Sequence, residues 1–186
     1  MVISCSRQIE NPGEEFEIEV GAFLNDWEFE FFLDGTNRNA FRLWIPNEVI
    51  PKAVLVLSPG NATDGRHLIN NAKWQAYASK ENLAIIGAYV RSNTDVASDN
   101  LLTALEKICE RNNIDYIAKL PILLRGFSHG GVFSYRFAEK YPTRTLAYAN
   151  IKGNLPEVST LLPPGLLIVG GKDLETRNIS IKNNFL

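Results

Sequence analysis

Histidine is scarce in this chain, with two among 186 residues, and cysteine is equally so. Cys5 and Cys109 lie far apart and match no metal-binding or redox spacing, which argues against a zinc site or a disulfide framework. No apolar run approaches 18 residues, so a helical membrane span is excluded. Neither sign of charge dominates: 19 basic side chains face 21 acidic ones, with no basic run or stripe. Nucleic acid is therefore not an expected partner. A soluble, cytoplasmic protein is the expectation, and the length together with 45% apolar residues fits one domain with a real core.

Smaller features carry little. Cys109 falls on the apolar face of a predicted helix and reads as a small core residue. Val2-Ile3-Ser4-Cys5 resembles a lipoprotein cleavage site, but no charged and apolar leader precedes it. The sequons at Asn61 and Asn178 mean little without secretion.

The informative stretch is Leu123-Leu124-Arg125-Gly126-Phe127-Ser128-His129-Gly130-Gly131. Gly126-x-Ser128-x-Gly130 is the pattern of a nucleophile elbow, a sharp strand-to-helix turn that lifts a serine hydroxyl above the edge of a parallel sheet. Glycine is needed two residues either side because neighbouring backbones pass there. Upstream, Pro121–Leu124 reads as a strand buried on both faces. Downstream, Val132, Phe133, Phe137, Ala138 and Tyr141 recur at helical spacing until Pro142. The alternative is a glycine-rich surface turn with an ordinary serine.

Residues 1–14 read as a loose arm, and 15–186 as a single domain. Phe16–Val20, Phe29–Leu33 and Phe41–Ile45 alternate apolar and polar, as antiparallel strands with one wet face do. Asp34-Gly35 is the turn between the last two. The runs Ala53–Leu57, Ala84–Val90, Ile122–Phe127, Leu146–Ala149 and Leu166–Val169 are instead apolar throughout but for Arg125. Helical patterns lie between most of them. Ile69, Ala72, Ala76 and Tyr77 mark one helix, and Leu101, Leu102, Leu105, Ile108 and Cys109 a second, opened by a Ser98-Asp99 cap. Between 151 and 164 three prolines allow at most a short helix. Buried strands alternating with helices predict an α/β domain with a mostly parallel sheet covered on both faces.

In this order, the antiparallel opening, Ser58-Pro59-Gly60-Asn61, the elbow, and Leu167-Ile168-Val169-Gly170-Gly171-Lys172-Asp173 together resemble the α/β-hydrolase superfamily. The loop after Gly60 and Trp74-Gln75-Ala76-Tyr77 are most similar to esterases of the feruloyl-esterase and polyhydroxyalkanoate-depolymerase type. The resemblance covers residues 28–175. It implies Ser128 as nucleophile, Asp173 as the triad acid, and an oxyanion hole from the His129 N–H and the Gly60–Asn61 loop. It implies no cofactor and no metal, and a small-molecule ester as substrate. Other readings stay open: Pro59-Gly60 as a plain turn, Asp173 as a capping residue, and Glu175 as a competing acid.

The base is the difficulty. His67 and His129 both precede Asp173, whereas the family's histidine follows an eighth strand. His129, beside the nucleophile, is placed to offer its backbone, and His67 reads as a surface or helix-terminal residue. The expectation is a hydrolase that is C-terminally truncated and inactive or very weak, lacking its last strand and helix. The last strand, Leu166–Val169, would then be an exposed apolar edge inviting self-association. The alternative function is a non-catalytic binding or interaction module on the same fold.

Overall fold

The computed structural model describes residues 29–34, 37–61, 63–91, 93–154, 162–175 and 178–179. The expected arm, the strand at 16–20, Gly35 and the core of the proline-rich 151–164 stretch fall outside them. In chain order come β1 (Phe29–Asp34), β2 (Asn37–Trp44), β3 (Ala53–Ser58), a 3₁₀ turn (Arg66–Asn70), α1 (Ala72–Glu81) and β4 (Leu83–Arg91). They are followed by α2 (Thr94–Asn112), the short α3 (Asp115–Ala118), β5 (Ile122–Phe127), α4 (His129–Lys140), β6 (Thr145–Ile151) and β7 (Gly165–Ile168).

The strands form one sheet in the order β1-β2-β4-β3-β5-β6-β7. β1 and β2 are antiparallel, as is β2 with β4, and every later pairing is parallel. The alternating early runs thus occupy the antiparallel end. The continuously apolar β3 and β4 lie in the middle, buried on both faces.

Side chains of α2, α3 and α4, including Leu101, Leu105, Ile108, Phe133 and Phe137, build the larger core layer against one face of the sheet. The smaller layer, with Leu55, Leu57, Ile69, Ala78 and Ile85, lies on the other face of β3 and β4 under α1. Each fully buried aliphatic or aromatic side chain contributes about 1.5–3 kcal/mol through area removed from water.

Two helix readings are corrected. α2 begins at Thr94, not at Ser98-Asp99: the Asn93 side chain accepts the Asp95 N–H at 2.8 Å, an earlier cap within the same polar run. Ser98 is buried inside the helix and donates to the Thr94 carbonyl at 2.7 Å. Asp99 faces α4, where it pairs with Lys140 at 2.6 Å and accepts from the Tyr141 hydroxyl. In α1 the buried positions are Gln75 and Ala78, while Ala76 and Tyr77 are exposed. The Asn71 cap, accepting from Lys73 and Trp74 N–H groups, restarts the helix after the 3₁₀ turn and rotates its face away from a continuous 69–77 stripe. Among the described residues no helix is long and apolar enough to cross a membrane.

Candidate active site

β5 ends at Phe127, α4 begins at His129, and the whole reversal falls on Ser128, at φ 53° and ψ −118°. That is a backbone region costly for any residue with a Cβ, on the order of 1–3 kcal/mol, and it persists only where surroundings over-determine it. Here they do. The Ser128 N–H donates to the Ile151 carbonyl at 2.8 Å, and its carbonyl accepts from Gly131 and Val132 at 2.9 and 3.1 Å. A Cβ on Gly126 would lie 1.8 Å from the Gly130 oxygen, and one on Gly130 only 2.2 Å from the Ser58 oxygen. Strand, turn and helix thus touch through bare backbone, which is why the sequence carries glycine there.

The loop after β3 runs across the same point. The Gly130 N–H donates to the Pro59 carbonyl at 3.1 Å, and a Cβ on Gly60 would sit 3.6 Å from the Ser128 Cβ. Gly60 therefore borders the serine, and the Thr63 N–H closes the turn onto its carbonyl at 3.1 Å. Asn61 occupies the exposed tip of that turn. Further on, the Gly65 N–H donates to the Ala88 carbonyl at 3.1 Å, seating the loop over β4. Asp64 clamps Arg66 with both carboxylate oxygens. Burial alone would raise the Asp64 carboxyl, but the Arg66 hydrogen bonds and charge outweigh it and hold it below the usual range.

Sequence reasoning missed the support behind the elbow. Asn150, fully buried near the end of β6, accepts the Gly153 N–H at 2.8 Å. Cβ atoms on Gly131 and Gly153 would lie 2.3 and 2.2 Å from its Oδ1. A polar residue breaking the apolar run of β6 just before Lys152-Gly153 was the available signal.

Asp173 lies in the loop after β7, half-buried, its carboxylate accepting the Leu174 N–H at 2.8 Å. The rows Phe127–Ile151–Ile168 align the ends of β5, β6 and β7, so the Ser128 turn and the loop that carries Asp173 leave the same end of the sheet, from strands two positions apart. His67 is exposed on the 3₁₀ turn, beyond the Gly65 anchor on β4. β4 and β7 lie on opposite sides of β5, four spacings or about 19 Å apart, so His67 and Asp173 are not brought together. His129 opens α4 directly after the serine. Among the described residues no group of three or more His, Cys, Asp or Glu side chains could hold a metal ion.

The sheet order, the antiparallel start and the strained serine turn after β5 define an α/β-hydrolase fold. Solved structures of esterases and hydrolases share it. A dienelactone hydrolase from Anabaena variabilis superposes with a TM-score of 0.56 at 18% identity, over 84% of this chain and 80% of that one. An S-formylglutathione hydrolase from Staphylococcus aureus gives 0.54 at 14% identity, over 84% and 82%. An acetyl xylan esterase from Aspergillus awamori gives 0.51 at 13% identity, and the chain spans 68% of its own length and about half, 51%, of that enzyme. No protein-family model matches the sequence, and no curated protein matches it.

Proposed function

We propose that the chain is a hydrolase of carboxylic esters built around Ser128 as nucleophile. The observation that carries this reading is the serine's backbone, held at φ 53° at the strand–helix turn with Gly60 bordering its side chain. The Ser128 Oγ attacks the ester carbonyl carbon while its proton passes to a base. The carbonyl oxygen becomes an oxyanion received by the His129 N–H and a donor of the Gly60–Asn61 loop. Collapse expels the alcohol with the proton, and water releases the acid from the acyl-enzyme by the same steps. No cofactor or metal enters this chemistry.

Asp173 is the acid of this reading. Its loop leaves the same end of the sheet as the Ser128 turn, from a strand two positions away, the arrangement in which an imidazole would bridge the two. His67 stands on the far side of the elbow, and His129 is assigned by its backbone. The 186-residue chain, without another imidazole, therefore turns over esters at or near background. The names of structural neighbours, an acetyl xylan esterase, a dienelactone hydrolase and an S-formylglutathione hydrolase, support a small-molecule acyl substrate.

Imidazole rescue tests this. Hydrolysis of p-nitrophenyl acetate is measured with and without added imidazole for the native chain and for Ser128→Ala. The expected result is no native turnover above Ser128→Ala without imidazole and, with imidazole, a native rate above that of Ser128→Ala, which keeps only imidazole's own hydrolysis of the ester. Equal stimulation of both removes Ser128 as nucleophile. Unassisted, Ser128-dependent turnover overturns the missing-base reading.

A further inference from the structure

Two residues with a side chain stand at positive φ where the sheet meets the serine turn, Ser128 at 53° and Lys152 at 57°. Phe127 of β5 pairs with Ile151 of β6, so the two turns leave neighbouring strands side by side. A single peptide plane ties both to the sheet. Its carbonyl, that of Ile151, accepts the Ser128 N–H at 2.8 Å, and its N–H, that of Lys152, donates to the Ile168 carbonyl at 2.8 Å. The tilt of this peptide therefore bears directly on the backbone of the serine.

Asn150 braces that peptide. Its side chain is fully buried, and Oδ1 accepts the Gly153 N–H at 2.8 Å, closing a turn over Ile151 and Lys152. The same oxygen lies against bare backbone on two sides: Cβ atoms on Gly131 and Gly153 would meet it at 2.3 and 2.2 Å. An added Cβ on Gly153 would also stand 2.8 Å from both the Ser128 carbonyl oxygen and the Val132 nitrogen. The carboxamide is thus wedged between the first turn of α4 and the turn after β6. Its other half is unsatisfied: Nδ2 is buried and has no hydrogen-bond partner among the described residues. A buried donor left unpaired costs as much as a good hydrogen bond returns, so as a stabiliser alone Asn150 has no advantage over an apolar side chain of its size.

We propose that Asn150 is a positioning residue for Ser128. Its carboxamide fixes the turn over Ile151 and Lys152, and through the Ile151 carbonyl it sets the φ of the serine and the direction of its hydroxyl. An apolar residue would fill the same space but leave the Gly153 N–H, and with it the tilt of the Ile151 carbonyl, unheld. The consequence for ester chemistry rests on the reading of Ser128 as nucleophile, whereas the consequence for the turn does not. A nucleophile misplaced by about 1 Å loses about 100-fold in rate, so a small change in this peptide is enough to be read in kinetics.

Two variants test this against the native chain. Asn150→Leu is close in volume and cannot accept a hydrogen bond. Asn150→Asp keeps an oxygen in reach of the Gly153 N–H, and burial favours its neutral acid at about pH 6, where the comparison is made. Amide exchange, followed by NMR, compares the Ser128 N–H with those of β3 and β4. The expected result for Asn150→Leu is exchange about 10-fold or more faster at Ser128 with β3 and β4 unchanged, and for Asn150→Asp a value near native. Imidazole-rescued hydrolysis of p-nitrophenyl acetate, less the Ser128→Ala rate, should fall about 10- to 100-fold in kcat for Asn150→Leu while KM moves by less than about 3-fold. Asn150→Asp should recover most of it. Unchanged Ser128 exchange in Asn150→Leu overturns the proposal, as does faster exchange of β3 and β4 along with it. So does faster Ser128 exchange at an undiminished kcat, or an Asn150→Asp chain no better than Asn150→Leu. A native rate no higher than that of Ser128→Ala removes the nucleophile reading instead, and exchange at Ser128 then decides alone whether Asn150 holds the turn. Should Asn150→Leu fail to fold, Asn150→Ala, which leaves space rather than crowding the two glycines, carries the same readouts.

Discussion

A Cβ added to Gly126 would meet the carbonyl oxygen of Gly130 at 1.8 Å, well inside contact distance, and neither partner is a movable side chain. Gly126→Ala must therefore push β5 and α4 apart. We expect a loss of about 3 kcal/mol or more in urea unfolding, and a similar loss for Gly130→Ala against Ser58. Gly171→Ala is the control. Nothing lies within 4 Å of its added Cβ, so its midpoint should stay within about 0.5 kcal/mol of native.

The serine itself is expected to be a stability liability. Its φ of 53° with ψ of −118° is a conformation that glycine adopts with far less strain. Ser128→Gly should raise stability by up to about 1 kcal/mol in urea unfolding while removing all imidazole-rescued ester hydrolysis. A destabilised Ser128→Gly chain would mean that the turn is not strained.

Gly60 separates packing from chemistry. The nearest atoms to its added Cβ are the Ser128 Cβ at 3.6 Å and a Phe127 ring carbon at 3.7 Å, ordinary contacts that the fold tolerates. The methyl would nonetheless stand beside the proposed nucleophile, where the acyl group of the proposed reaction would approach. Gly60→Ala should unfold within about 0.5 kcal/mol of native, yet lose about 10-fold or more of the imidazole-rescued, Ser128-dependent rate. A parallel fall in stability and rate would instead make Gly60 structural.

The elbow was legible because its reason is local. Gly126, Ser128 and Gly130 sit within five residues, and the apolar run and helical spacing on either side belong to adjacent sequence. β3 and β4 were legible for a similar reason, since burial on both faces leaves unbroken apolar runs. β5 and β6, read as equally buried, instead alternate between buried and partly open positions, and β7 is largely exposed. What escaped depends on partners distant in sequence. Asn150 is polar in a strand run, and only the fold places its amide beneath Gly131 and Gly153. The start of α2 was misplaced because Asn93-Thr94-Asp95 and Ser98-Asp99 offer competing caps of equal chemistry. Ser98 is instead consumed by its own helix, and Asp99 by Lys140 and Tyr141 of the α4 end. The α1 face was misread because Asn71 resets the helical phase, which periodicity alone does not register.

Cys109 gives a prediction in pH. Its side chain is fully buried on α2, and burial, aided by the nearby Asp115 carboxylate, pushes the thiol up to about 11 from an ordinary value near 9. The folded chain thus prefers the neutral thiol more strongly than the unfolded chain does. Below pH 9 both states keep the proton and pH has no effect through this group. As pH rises from 9 toward 11 the unfolded state ionises first, and stability falls by at most about 1.4 kcal/mol per pH unit. Tyr148, pushed up to about 12 chiefly by its own burial, adds a separate decline above pH 10. The difference between the native chain and Cys109→Ala isolates the thiol: the variant starts lower because a small cavity is left, and should lack the loss between pH 9 and 10. In a Cys5→Ser background the folded native chain should also leave a thiol reagent unreacted at pH 8 until denaturant is added. Reaction at the folded-state rate of a free thiol would place Cys109 outside the core layer of α2.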